Sequence, residues 1–272
     1  MDARLQRRIQ RYGWDLAADE YEGLWRRQLE PAQAALLGGI SLQPGERVLD
    51  VACGTGLVTF EAARAVGPTG HVVGVDISGQ MVEAAASARA RQDVSNVAFE
   101  RMDAEALRFD DASFDVVLCS LGLMYVPEPE QSIREMRRVL RPGGRIALSV
   151  WGEREHCGWA TIFEIVQDEV DSEVCPLFFR LGRAGGLERA CIAAGFASIE
   201  ERTLTTTLEY ADADEACRAA FAGGPVALAW SRFDEATRQR VMQRYTRSIE
   251  PWRSGAAYAV SGEFRLAFGR CR

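Results

Sequence analysis

Between residues 46 and 151, short apolar runs alternate with amphipathic segments five times. Val48-Leu49 and residues 72–75 are apolar, as in buried strands, whereas Ile133, Met136 and Val139 recur at helical spacing. This alternation predicts parallel βαβ units. We therefore expect an α/β, Rossmann-like, doubly wound sheet of seven mostly parallel strands, with the carboxyl ends of its first four strands at one edge.

The flanking regions have other patterns. Residues 15–37 carry apolar residues at three- and four-residue steps, which predicts a helix that Pro31 could interrupt. The preceding Arg4, Arg7, Arg8 and Arg11 are interpreted as a solvated face. After residue 151, alternating strands at 204–210 and 264–268 are expected to pair antiparallel, with a helical cap between them. The predicted division is 1–45, an N-terminal helical segment; 46–151, a ligand-binding core; and 152–272, substrate-side helices and the last two strands of the same domain.

Composition and charge narrow the range of possible functions. The net charge of -7 and pI near 5.1 argue against nucleic acid, because phosphate contacts need a basic face. Without an apolar run of about 18 residues or a signal-like N-terminus, a cytoplasmic protein with no membrane span is expected. Seven irregularly spaced cysteines indicate neither disulfides nor a metal site. A small-molecule substrate fits this composition, and assembly as a homodimer is left open.

A glycine turn carries the strongest chemical signal. Gly54 and Gly56 follow the first strand, and Asp76 ends the second strand 20 residues later. Glycines let a ligand lie on the backbone, and an acidic residue at that distance accepts ribose hydroxyls. Thr59 stands where a dinucleotide site has its third glycine. The pattern favours an adenosyl ligand with an uncharged or zwitterionic group, although a plain turn or a nicotinamide site shares part of it.

These residues resemble the class I S-adenosylmethionine-dependent methyltransferases, in particular the branch similar to the ubiquinone/menaquinone C-methyltransferases. The resemblance covers residues 46–151 and includes the blocks at 50–56, 72–81, 101–104 and 114–127 and Pro142-Gly143-Gly144. Ala52 departs from the family pattern, which has glycine at this position. The resemblance implies S-adenosylmethionine as cofactor, bound by Asp50, Ala52, Cys53, Gly54, Thr55, Gly56, Asp76, Ile77, Met81, Asp103, Ala104 and Ser120, with Asp103 facing the adenine.

The implied reaction is an in-line displacement at a methyl carbon, for which the protein supplies alignment and exclusion of water. Deprotonation of the acceptor is the one step that could require a catalytic side chain. His156 follows the fifth strand and is a candidate base, although a loop histidine more often only donates a hydrogen bond. Tyr125 is the second catalytic candidate, and it either contacts the acceptor or packs.

The acceptor is expected to be small and apolar or aromatic. The candidate contacts are Tyr21, Trp25, Tyr125, Trp151 and His156. Arsenite methyltransferases share the expected fold, so thiols at Cys157, Cys175 and Cys191 keep that acceptor open. A non-catalytic S-adenosylmethionine-binding protein and a nicotinamide-dependent oxidoreductase are the alternatives from other classes.

Overall fold

The computed structural model describes residues 3–170, 175 and 177–271 of the 272-residue chain. One sheet runs through these residues. Its strands are β1 (Arg47–Val51), β2 (His71–Asp76), β3 (Val97–Arg101), β4 (Phe114–Ser120), β5 (Leu140–Trp151), β6 (Ile199–Tyr210), β7 (Arg253–Ser254) and β8 (Ala257–Arg270).

The order β3-β2-β1-β4-β5-β8-β6 confirms the expected doubly wound sheet of seven strands, and the two-residue β7 adds a short pairing to β8. The first five strands are parallel. β8 runs antiparallel to both β5 and β6, as the alternating patterns near the end of the chain predicted. The strand order reverses between β1 and β4, so a crevice opens beyond their carboxyl ends.

The helices of the described residues flank this sheet. They are α1 (Ala3–Ile40), α2 (Leu57–Val66), α3 (Gly79–Gln92), α4 (Pro129–Val139), α5 (Ile162–Gln167), α6 (Gly186–Ala193), α7 (Ala213–Phe221), α8 (Ala227–Trp230) and α9 (Glu235–Ile249), with short 3₁₀ turns at Leu123–Tyr125, Arg154–His156 and Glu250–Trp252. Within the described ranges, no helix has both the length and the apolar character needed to cross a bilayer.

Two of the late helices begin at aspartate caps. The Asp212 carboxylate accepts a hydrogen bond from the Glu215 amide at 2.8 Å and caps α7, and Asp234 caps α9 through the Thr237 amide at 2.8 Å. Such caps satisfy amides that the first helical turn leaves unpaired. Helices α7 to α9 lie between β6 and β8, where the helical cap was expected, and α5 and α6 lie between β5 and β6.

The N-terminal helix differs from its prediction. α1 begins at Ala3 instead of residue 15 and continues through Pro31 to Ile40. A proline inside a helix costs about 3 kcal/mol, but Leu29, Ala32 and Leu36 on both sides of Pro31 are buried against the core. Their burial offsets that cost at about 1.5–3 kcal/mol for each large side chain. The interruption that Pro31 could have caused is therefore absent from α1.

Candidate functional site

A large cavity lies where the strand order reverses, between the carboxyl ends of the parallel strands and the first half of α1. It encloses about 1030 Å³ of empty space, part of it open to solvent. Twelve of the residues proposed from sequence line its wall: Tyr21, Trp25, Ala52, Gly54, Asp76, Ile77, Met81, Asp103, Ala104, Ser120, Tyr125 and Trp151. The fold thus brings most of the cofactor candidates and most of the acceptor candidates to one space.

The turn after β1 forms the floor of this cavity. Gly54 and Gly56 have φ angles of 55° and 89°, in the left-handed region that glycine adopts without strain. At Gly56 a Cβ atom would lie 2.9 Å from the ring of Phe60 and 3.0 Å from that of Phe99. A side chain there would therefore be both strained and crowded, which explains why the turn needs glycine at this position.

Ala52 also lies in the left-handed region, with φ of 57°. Its methyl group occupies space beside Gly122, where a built Cβ would lie only 2.4 Å from the Ala52 Cβ. The departure from the family glycine at residue 52 is therefore matched by the absence of a side chain at Gly122. The two loops after β1 and β4 approach each other this closely only because one of the two residues is glycine.

Asp76 connects the β1 turn to β2. One carboxylate oxygen accepts from the Gly54 amide at 2.9 Å and the other from the Ser78 amide at 2.9 Å. Burial raises the pKa of this carboxyl, and the backbone amides oppose that rise. Each oxygen keeps a second lone pair for a ligand. Asp76 is therefore held in place by the backbone at the wall of the cavity.

Asp50 lies below the turn and lines a smaller cavity of about 290 Å³, which shares Tyr21, Ala52 and Gly54 with the large one. Its Oδ2 accepts from the Thr59 hydroxyl at 2.6 Å, whereas its buried Oδ1 has no partner in the described structure. Burial raises the pKa of Asp50 to about 7, despite the Thr59 hydrogen bond. An acceptor without a partner at this depth is unusual and favours a cationic or N–H-bearing ligand.

Arg7 was missed by the sequence reasoning. The interpretation of the N-terminal arginines as a solvated face is wrong for this residue, because Arg7 turns inward, lines the cavity and pairs with buried Glu105. The same guanidinium lies 3.4 Å from Asp103. Asp103 Oδ1 also accepts from the Glu105 amide at 2.9 Å. The carboxylate expected to face the adenine therefore belongs to a charged cluster that holds α1 over the cavity.

Aromatic side chains form the opposite wall. Trp14 makes edge contacts with Tyr21 and Tyr125, with ring centroids 5.7 and 5.0 Å apart. Burial is the main cause that raises the pKa of both tyrosine hydroxyls, and the neighbouring Asp76 and Asp50 add to the rise at Tyr21. Both phenols are thus protonated at neutral pH.

Three tryptophans continue this wall. Trp151 contacts Trp25 and Trp159, with ring centroids 6.2 and 4.8 Å apart. All three are buried and line the cavity. The indole N–H groups of Trp25 and Trp159 have no partner among the described residues. Trp159 was not among the candidate acceptor contacts, because nothing in the sequence places it beside α1.

Three of the other proposed residues have different surroundings. Thr55 and Gly56 line neither cavity, although the buried Thr55 hydroxyl lacks a partner in the described structure. His156 lies on the 3₁₀ turn after β5, and its half-exposed ring lies 2.8 Å from the buried Glu263 carboxylate through Nδ1. The structure does not bring His156 to the cavity wall.

Cys53, the last of the proposed cofactor residues, lines the smaller cavity and is buried. Burial and the nearby Asp76 and Asp50 raise the pKa of its thiol well above the ordinary range. A neutral buried thiol is a weak nucleophile. This environment agrees with a backbone role for Cys53 in the turn.

Comparison with known proteins gives the family. A model of the methyltransferase domain matches residues 42–186, which is just over half of the chain. The chain belongs to this methyltransferase family. The match begins after α1 and includes the β1 turn, Asp76, the 101–104 block and Trp159. It confirms the resemblance drawn from the glycine turn and its following blocks, and with it S-adenosylmethionine as the cofactor of the class.

Curated relatives agree with this family. The chain is 39% identical over 122 residues to the demethylmenaquinone methyltransferase of Listeria monocytogenes serotype 4a, covering 45% of this chain and 52% of that protein. It is 42% identical over 139 residues to the ubiquinone/menaquinone biosynthesis C-methyltransferase UbiE of Ectopseudomonas mendocina, covering 49% and 51%. The chain thus spans about half the length of the curated relatives it matches.

Solved structures share the fold. The YcgJ protein of Bacillus subtilis superposes with a TM-score of 0.62 at 20% identity, over 89% of this chain and 99% of that one. Phosphoethanolamine N-methyltransferase 2 of Haemonchus contortus, solved with S-adenosyl-L-methionine, gives 0.63 at 17% identity, over 95% and 57%. At these identities the likeness concerns the fold alone.

Proposed function

We propose that this methyltransferase transfers the methyl group of S-adenosylmethionine to a ring carbon of an aromatic acceptor that bears oxygen substituents, as in a quinol. The observation that carries this proposal is one cavity in which the glycine turn and Asp76 face a wall of tryptophan and tyrosine rings. The names of the quinone-modifying relatives support the acceptor class. Apolar walls of this kind favour a planar apolar ring.

The residues present fit the cofactor. The buried Asp50 Oδ1 without a partner suits the ammonium of the methionine part, and Asp76, held by two backbone amides, suits the ribose hydroxyls. The backbone of Cys53 to Gly56 would approach the methionine part, with Ile77, Met81, Asp103 and Ala104 around the adenosine. When bound, S-adenosylmethionine supplies an electrophilic methyl carbon on a sulfonium.

The protein itself would then contribute alignment of the two reactants and exclusion of water from them. Trp25, Trp151 and Trp159 are each no more than 6% exposed, so an acceptor packed against them would be shielded from water on that side. Well-oriented reactants gain about 7–11 kcal/mol from such positioning. The two indole N–H groups without partners offer hydrogen bonds to ring oxygens of the acceptor. These donors would hold the ring in one orientation.

Tyr21 and Tyr125 act in this scheme as neutral donors at the cavity wall. Because burial raises the pKa of both hydroxyls, neither takes a proton from the acceptor at neutral pH. Tyr125 would orient an oxygen of the acceptor. An acceptor whose ring hydroxyl is already ionised in solution would need no base from the protein. His156 lies outside the cavity wall, so it would reach the acceptor only if the turn that carries it were rearranged.

Arsenite is a weaker candidate acceptor. Cys157 and Cys191 are buried and Cys175 is half-buried. Over the described ranges, which include all three thiols, no group of three or more potential metal ligands comes together. Burial also raises the pKa of Cys175 to about 11 and that of Cys157 to about 12. Neutral, separated thiols would hold a soft trivalent ion poorly.

The test is transfer of a labelled methyl group from S-adenosylmethionine to separate pools of quinols, phenols, amines, thiols and arsenite. We expect label in the quinol or phenol pool, with the methyl on a ring carbon by NMR of the product. Asp76→Ala is the matched control and should lose both cofactor binding and label. Label only in the amine, thiol or arsenite pool would refute the acceptor class. Cofactor binding with no label in any pool would favour a non-catalytic protein.

A further inference from the structure

The first half of α1 exposes large apolar side chains in a line. Leu5, Tyr12 and Leu16 are 40%, 46% and 51% exposed, and in the described chain only Ile192 on α6 joins them as an exposed large hydrophobic residue. Steps of seven and four residues keep the three on one side of a helix of 3.6 residues per turn. This line faces away from the core, since Gln6, Gln10 and Ala17 on the other side are buried.

Arginine side chains lie beside this apolar line. Residues 3–14 contain four arginines and no acidic residue, in a chain of net charge -7. Arg7 turns inward to Glu105, whereas Arg8 is exposed and the Arg11 guanidinium lies 4.5 Å from the centre of the Tyr12 ring. By helical spacing, Arg8 and Arg11 lie along one flank of the apolar line. We call Leu5, Arg8, Arg11, Tyr12 and Leu16 the α1 outer face.

A helix with leucine and aromatic residues on one face and arginines beside them is typical of helices that lie in the surface of a bilayer. Arginine also recognises phosphate through a planar fork. Two acidic residues follow the basic segment. The Asp15 carboxylate accepts a hydrogen bond from the Ser78 hydroxyl at 2.6 Å, and Asp19 is exposed. The charge of this segment is therefore positive, which is opposite to the net charge of the whole chain and complementary to anionic lipid.

The position of this face relative to the cavity adds to the argument. Arg7, Gln10 and Trp14, on the inner side of the same turns, line the cavity wall. A surface that held the α1 outer face would therefore lie one helix diameter, about 10–12 Å, from the cavity. We propose that the α1 outer face docks on the surface of an anionic lipid bilayer. This docking does not depend on which acceptor the enzyme methylates.

The test is flotation of the full chain with vesicles of phosphatidylcholine alone or with 30% phosphatidylglycerol. We expect binding to the anionic vesicles only, weakened by 0.5 M salt. Arg8→Gln with Arg11→Gln should weaken it by about thirtyfold, from about 1 kcal/mol for each arginine, and Leu5→Gln with Leu16→Gln should also weaken it. Matched controls on exposed sites elsewhere, Arg26→Gln with Arg27→Gln and Ile192→Gln, should bind as the unaltered chain does.

Two results would overturn the proposal. One is equal binding, or none, to both vesicle types. The other is a dimer in sedimentation that Leu5→Gln with Leu16→Gln dissociates, which would make this face a contact between two copies of the chain. Thermal unfolding of each variant, with unchanged midpoints, separates loss of docking from loss of fold. Cofactor affinity serves as the second check, because it should be the same in all these variants.

Discussion

The buried carboxyl of Asp50 gives the most specific physical prediction. Its pKa of about 7 in the folded chain lies about three pH units above the value near 4 expected in the unfolded chain. The folded state therefore holds this proton more tightly, and stability falls as the pH rises from about 4 to about 7. At about 1.4 kcal/mol per unit, the whole loss is as much as ~4 kcal/mol, of which about 3 kcal/mol falls between pH 5 and pH 8.

Asp50→Asn removes this titration and keeps an oxygen that can accept from the Thr59 hydroxyl. We expect the free energy of unfolding in urea, measured from pH 5 to pH 8, to fall more steeply for the unaltered chain than for Asp50→Asn. The comparison concerns the slopes, since the amide changes the absolute stability at every pH. Parallel curves for the two proteins would refute the assigned ionisation of Asp50.

The same carboxyl should make cofactor binding depend on pH. If Asp50 receives the cofactor ammonium, only its ionised form binds well, so affinity should rise by up to tenfold per pH unit as the pH approaches 7 and then level. Calorimetric titration with S-adenosylmethionine at pH 5.5, 6.5 and 8 measures this. Asp50→Asn should bind more weakly at pH 8 and show a flat profile. A sloping profile in Asp50→Asn would assign the dependence to another group.

Four further outcomes follow from the site. Gly122→Ala should lower the free energy of unfolding by about 1–3 kcal/mol through the clash with Ala52, and Ala52→Gly should restore most of it, as a double-mutant cycle of urea unfolding measures; additive effects would contradict the clash. Asp76→Ala should abolish cofactor binding with the circular dichroism spectrum unchanged, so that unchanged affinity by calorimetry would remove Asp76 from the site. Trp159→Phe should raise the KM for the acceptor about fivefold through one lost hydrogen bond of about 1 kcal/mol, leaving the cofactor Kd alone; an unchanged KM would show that the indole N–H has no role. His156→Gln should keep kcat within about twofold, whereas a large loss of kcat across the pH range would restore this histidine as a base.

The sheet was predictable because its signal is local. Apolar runs of strand length, alternating with helical spacing, recur through residues 46–151 and give both the parallel strands and their common edge. The cofactor candidates follow from the same segment, since Gly54, Asp76 and Asp103 each lie at the carboxyl end of a strand or within three residues of it. Two late strands with alternating faces also pointed correctly to antiparallel pairing. Absence of nucleic-acid binding and the division at residues 45 and 151 stay predictions.

The rest depends on contacts between distant parts of the chain. Arg7 has the same local pattern as Arg8, and only its pairing with Glu105, 98 residues away, turns it into the cavity wall. Helical spacing in α1 could not distinguish the face that covers the cavity from the face that meets solvent. His156 follows a strand at the ligand edge, as a base would, but Glu263 on β8 bonds the ring that the sequence assigned to the acceptor.

The walls of the cavity come from separate stretches of the chain, and this has a consequence for protein engineering. The cofactor floor lies within residues 42–186, which the family shares, whereas Tyr21 and Trp25 belong to α1, which precedes that match. On the proposed function, a change in α1 alone would alter the part of the acceptor wall that Tyr21 and Trp25 form, and would leave Trp151, Trp159 and the β1 turn as they are. Residues on α1 are accordingly the first to vary when a different acceptor is sought.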